Sequence, residues 1–148
     1  MIFHKMDVTK SADWKATIDT AVQKFGRCDI LVNNAGTSYK NKPTVDVTEE
    51  EFQKTFDVNV KGVYLGCNAW TQQAIDRKEG GVIINISSVG ATRPRPGLVW
   101  YNASKGAVSN VCFVRSELMP LLTIRRLQKV LPPNWVRIRY EWFPYVHS

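Results

Sequence analysis

The feature that most constrains this chain is the alternation of short apolar runs with segments of helical period. The run Ile-Leu-Val at 30–32 is bounded by Asp29 and by Asn-Asn-Ala-Gly at 33–36. A second run, Val-Ile-Ile-Asn-Ile at 82–86, lies between two glycines and two serines. Runs this short and apolar suit strands buried on both faces. Ahead of the first run, Trp14, Ile18, Val22 and Phe25 recur at helical spacing, and Gly26 stands where a left-handed C-terminal cap belongs. Between the runs, Thr48 and Glu51 form a capping-box pattern. From there Phe52, Phe56, Val60, Val63 and Cys67 are expected to continue down one helical face. A third helix is expected to carry Tyr101 and Lys105 and to run on through residues 106–114. Residues 4–8 read as the end of a further strand. Strands alternating with helices in this way imply an α/β fold, a parallel sheet with right-handed crossovers.

Composition narrows the function classes. At 148 residues the chain is one-domain sized, and it has no apolar run long enough for a membrane span. The start lacks the long apolar stretch of a signal peptide. Cys28, Cys67 and Cys112 are widely spaced and odd in number, which suits a reducing, cytoplasmic setting and gives no metal-type pair. The net charge of +7 is concentrated late: Arg125, Arg126, Lys129, Arg137 and Arg139 face Glu141 alone after residue 122. A local basic tail is not the footprint of a fold specific for nucleic acid. The expected division is a sheet domain at 1–122 and a divergent basic tail at 123–148. Across the start of the tail, Leu121, Ile124, Leu127 and Leu131 suggest a short basic amphipathic helix, and residues 135–140 alternate like a strand.

The residues that carry chemistry cluster late in the sheet domain. Tyr101 and Lys105 are four apart and share a helix face one turn from each other. A phenol is a poor acid or base at neutral pH, and a nearby cation favours its ionised form. The pair therefore suits proton exchange with a carbonyl or alcohol oxygen. Ser88 follows a strand, at the carboxyl end where open parallel sheets bind ligands, and its hydroxyl can donate to a substrate oxygen. Asn59 lies in an apolar helical stretch, where an amide is costly unless paired. Gly36 lets a backbone approach a ligand closely. Each has a plainer alternative: a half-buried aromatic at Tyr101, a solvated charge at Lys105, a turn serine at Ser88 and a satisfied core amide at Asn59. Ser87 reads more simply as a turn or cap serine, and Asn33 and Asn34 read equally well as side chains bonding neighbouring strand backbones. Arg93 and Arg95, in the loop after Ser88, could meet an anionic substrate, but solvent-exposed charge is the favoured reading.

Taken in order, Asn-Asn-Ala-Gly at 33–36, Asn59, Ser88, Tyr101 and Lys105 resemble the classical short-chain dehydrogenase/reductase family over residues 3–118. The resemblance implies a Rossmann-type doubly wound sheet and hydride transfer between a small alcohol or ketone and NAD or NADP. It implies Asn59, Ser88, Tyr101 and Lys105 as catalytic residues, with Asn59 at a helix distortion holding a relay water. It implies that Lys105 and Tyr101 also meet the nicotinamide end of the cofactor. Asn33, Ala35 and Gly36 would lie along the adenosine side, and Asp7 and Val8 would match the family's adenine-contacting pair. The helices carrying Asn59 and Tyr101 form the family's common dimer surface, so a homo-oligomer through them is implied, with Phe56, Val63 and Trp70 serving either that surface or the core.

The sequence departs from the family at both ends. The first two strands and the Gly-rich pyrophosphate turn are not found ahead of residue 3, so the expected fold is a partial one lacking them. The residue that chooses NAD or NADP goes with them. The family's Pro-Gly segment is not found after residue 122. The expectation is a fragment that binds NAD(P)H weakly or not at all. The alternative is a catalytically inactive, truncated member acting as an interaction module or a nonfunctional product.

Overall fold

The computed structural model describes residues 1–78 and 80–111 with their side chains, and the backbone of residues 122–127. Helix α1 spans Ser11–Phe25, strand β1 Ile30–Asn33, helix α2 Glu49–Phe56, a π-helical segment Asp57–Lys61, helix α3 Gly62–Asp76, strand β2 Gly81–Ile86, helix α4 Val99–Val111 and strand β3 Leu122–Leu127. The strands form one parallel sheet in the order β1-β2-β3. Ile30 pairs with Val82 and Asn33 with Asn85, while Gly81 pairs with Leu122 and Ile86 with Leu127. This is a partial Rossmann-type α/β sheet.

Local signals set the helix ends. Gly26 closes α1 with φ 83°, and its N–H bonds Val22 O at 2.8 Å. A side chain there would pay for the left-handed conformation that glycine adopts freely. Thr48 and Glu51 complete the expected capping box ahead of α2.

The core lies on one face of the sheet. Trp14 and Ile18 from α1 and Trp70 and Ala74 from α3 pack against Leu31 of β1 and Ile83 of β2. Trp70 is wholly buried and its indole N–H donates to Cys28 O at 3.0 Å. Complete burial of a side chain such as Ile83 is worth about 2–3 kcal/mol. Helix α4 joins the same face, since Ser87, in phase with Ile83 along β2, meets Ser109 of α4 at 2.6 Å.

Several expectations change. Strand β1 is not buried on both faces: Ile30 and Val32 are 59% and 49% exposed, because no described element covers that side. Phe25, the last residue of α1, is exposed too. The helix after Thr48 does not keep one stripe. Its π segment inserts an extra residue per turn, so the buried positions are Thr55, Asn59, Gly62, Val63, Gly66, Trp70 and Ala74, and Phe52, Phe56 and Val60 are only half-buried. Val63 and Trp70 thus belong to the core rather than to an outer surface. Residues 4–8 form no strand, having no strand partner among the described residues. Over Ile124 and Leu127 the expected helix is instead β3, which satisfies its backbone along β2, and Leu121 lies outside the described residues. Cys112, Leu131, the continuation of α4 past 111 and the strand expected at 135–140 lie outside the described residues.

Candidate active site

The site gathers at the carboxyl ends of β1 and β2. Asn59 occupies the π segment, is fully buried and has every amide position filled. Its Oδ1 accepts the Thr37 N–H at 2.8 Å, and its Nδ2 donates to Thr37 O and to Ser104 Oγ, both at 2.9 Å. The side chain thus clasps the backbone just past Gly36, as a neighbouring strand would. Ser104 donates in turn to Tyr101 O at 2.7 Å. One hydroxyl therefore links the loop after β1, the helix distortion and the first turn of α4.

Lys105 is 5% exposed, and its Nζ donates to Ile86 O at 2.9 Å. Burial holds its ammonium below the ordinary lysine range. A Cβ placed on Gly36 would lie 3.3 Å from that Nζ and 3.5 Å from Asn59 Oδ1. The backbone of Gly36, Asn59 and Lys105 thus meet directly. The Lys105 carbonyl is held from behind, where Ser87 Oγ and Ser109 Oγ each approach it at 2.9 Å.

The cap role expected of Ser87 falls to its neighbour Ser88, for which it was the alternative. Ser88 caps the short turn Val89–Ala91 by accepting the Gly90 N–H at 3.1 Å, whereas Ser87 is buried and ties β2 to α4. A cap role depends on where the strand stops, and β2 ends early enough to place Ser88 at the turn. Ser88 Oγ and Asn102 Oδ1 both border Gly90, so Ser88 lies beside the residue that follows Tyr101. Tyr101 is half-buried on the first turn of α4, one turn ahead of Lys105.

The remaining candidates spread outward. Asn33 is buried and turned into the sheet, donating to Asn85 Oδ1 at 2.8 Å and to Cys67 Sγ. Ala35 and Gly36 are exposed. Asp7 and Val8 lie in the turn before α1 and join the rest only indirectly. The Asp7 carboxylate accepts from Thr9, which holds it below the ordinary carboxylate range. Val8 packs on Gly62, and its carbonyl accepts from the Trp14 indole at 2.9 Å. Arg93 and Arg95 are exposed, as expected. Thr37, Ser104 and the Ile86 carbonyl were not singled out from the sequence. Only Ser104 carried a signal, being next to Lys105 and three residues past Tyr101. No group of residues among those described could hold a metal ion, and no described helix is long and apolar enough to cross a membrane.

The parallel sheet thus carries a buried lysine and a half-buried tyrosine one turn apart at its carboxyl edge, on a partial Rossmann-type fold. The short chain dehydrogenase family model matches residues 1–118, and the chain belongs to that family. A 4-formylbenzenesulfonate dehydrogenase of Comamonas testosteroni is 42% identical over 109 residues, 71% of this chain and 41% of that protein. A 3-ketoacyl-(acyl-carrier-protein) reductase from Brucella melitensis, solved with NADH, superposes with a TM-score of 0.73 at 42% identity, covering 84% of this chain and 53% of the other. A gluconate 5-dehydrogenase from Burkholderia cenocepacia, solved with NADP and tartrate, has a TM-score of 0.73 at 32% identity, covering 84% and 49%. The chain spans about half the length of the relatives it matches.

Proposed function

We propose that this chain is an NAD(P)-dependent oxidoreductase that interconverts a small alcohol and its ketone, and that alone it holds the dinucleotide weakly. The observation that carries this reading is the buried Lys105 ammonium beside the bare backbone of Gly36. An ammonium has three N–H groups, and one goes to Ile86 O. The glycine leaves room for a polyhydroxylated ligand to reach the others, so the residues fit the ribose of a nicotinamide cofactor. When bound, the nicotinamide supplies or accepts the hydride.

In this reading Tyr101 gives or takes the proton at the substrate oxygen, and Lys105 places a positive charge one turn away. Ser88 donates to the same oxygen and stabilises its developing charge. Asn59 holds the loop after β1 against α4 and so fixes the distance between Gly36 and Lys105. Ala35 lies toward the adenosine side, with Asp7 and Val8 nearer the adenine, while Gly36 borders the nicotinamide ribose and Asn33 keeps the end of β1 in register. Cys28 and Cys67, neither of them in a disulfide, suit a cytoplasmic setting. The exposed Tyr64 of α3 and the exposed Val99 and Val111 of α4 support self-association through these helices.

The test is absorbance at 340 nm with millimolar NADH or NADPH and a panel of small ketones. Oxidation of cofactor that falls about 100-fold or more in Tyr101→Phe supports the reading. Turnover insensitive to that substitution sinks it. A second reading, an inactive family member serving as an interaction module, is favoured by the exposed Ile30 and Val32 on the sheet. It gains if the whole panel is silent while the protein is folded.

A further inference from the structure

The first turn of α4 has an unusual cap. The first backbone bond of the helix runs from Asn102 N to Leu98 O at 2.9 Å, which leaves the amides of Val99, Trp100 and Tyr101 without a partner inside the helix. The Trp100 amide donates to the phenol oxygen of Tyr39 at 3.0 Å, a residue 61 positions earlier in the loop after β1. Neighbouring bonds strap the same two loops together. Asn41 Nδ2 donates to Pro96 O at 2.9 Å, and Lys42 N donates to Gly97 O at 3.2 Å. Gly97 has φ 76° and presses on the Asn41 side chain where a Cβ would otherwise sit. The Trp100 ring meets Phe52 edge-on at 5.2 Å, so α2 closes the other side of the turn.

We propose that Tyr39 is a positioning residue for Tyr101. Its phenol oxygen fixes the amide immediately before Tyr101 and ties the start of α4 to the loop after β1. Asn59 holds the same loop at Thr37, two residues before Tyr39. The loop is thereby pinned at one end to the helix distortion and at the other to the turn that carries the phenol. The arrangement sets where the Tyr101 ring emerges relative to Lys105 and Gly36. Small misplacements of a reacting group are costly: about 1 Å can reduce a rate about a hundredfold. The inference rests on the reading that Tyr101 transfers a proton, and its test does not require turnover.

The test is Tyr39→Phe, which keeps the ring and removes only the acceptor. Loss of one helix cap should speed hydrogen exchange at the Trp100 amide about fivefold, with smaller changes at residues 104–108. The Tyr101 ring resonances should shift, while those of exposed Tyr64 on α3 stay in place. An unchanged Trp100 amide would show that the phenol bond does not operate. Faster exchange with an unmoved Tyr101 ring would reduce Tyr39 to a local cap and overturn the proposal. If Tyr39→Phe fails to fold, the unsubstituted protein decides: a Trp100 amide as protected as the helix interior supports the bond, and one exchanging at its free rate overturns it. Neither readout uses cofactor or substrate, so a failure of hydride transfer would be visible separately.

Discussion

Replacing Ser104 with Ala tests the junction on which the site depends. Ser104 is fully buried, accepts from Asn59 Nδ2 at 2.9 Å and donates to Tyr101 O at 2.7 Å. The Tyr101 carbonyl sits inside α4 and keeps its helical role, so losing the second bond costs about 1 kcal/mol. The Asn59 amide is worse placed. It retains Thr37 O for one N–H, but the other faces a wholly buried space without a partner. Such an orphan costs about 1–3 kcal/mol. The expected destabilisation is therefore about 2–4 kcal/mol, or roughly 6–13 °C in melting temperature for a chain of this size. Urea unfolding followed by circular dichroism gives the number directly. A double-mutant cycle with Asn59→Ala should show a coupling of about 1 kcal/mol, because each substitution removes the same bond. A Ser104→Ala loss below about 0.5 kcal/mol, or a strictly additive cycle, would refute the view that this hydroxyl joins the three elements.

Other outcomes follow from the same structure. Burial lowers the Lys105 pKa in the folded state, so between that lowered value and the ordinary 10.5 the unfolded chain binds more protons, and stability rises with pH through that window. Lys105→Met should flatten this alkaline rise and leave stability at pH 7 equal or higher; an unchanged slope in pH-dependent urea midpoints would assign the rise to other groups. Gly66→Ala should destabilise by about 1–3 kcal/mol, since its Cβ would lie 2.5 Å from Asn33 Oδ1 and 2.8 Å from the Trp14 ring; a neutral melt would mean that α1 and α3 separate freely. Thr48→Ala should cost about 1 kcal/mol through loss of the capping box ahead of α2, read by the same melts, and an unchanged midpoint would mean that the helix start is held by other contacts.

Legibility in the sequence followed the range of the interactions involved. Gly26, the Thr48–Glu51 box, the two strands and the helix carrying Tyr101 and Lys105 were all readable because periodicity and caps are local. The position of Asn59 at a helix distortion came through the family resemblance. Its partners Thr37 and Ser104 lie 22 and 45 residues away and left no local trace. The burial of Ser87 against α4, in place of the expected cap, turned on where β2 stops, which a run of apolar residues fixes only to within a residue or two. Strand β3 was missed because Ile124 and Leu127 stand at helical spacing from each other, and the pairing of Leu122–Leu127 with β2 overrode it. The expected burial of β1 on both faces failed at Ile30 and Val32, because hydrophobicity shows what a residue favours and not what covers it.

The most direct measurement is saturation-transfer NMR of the purified chain with millimolar NADH, a method suited to weak binding. The account predicts saturation at the nicotinamide and its ribose, lost in Lys105→Met while the fold is retained. Saturation absent from that end of the cofactor, or equally strong in the variant, would contradict it.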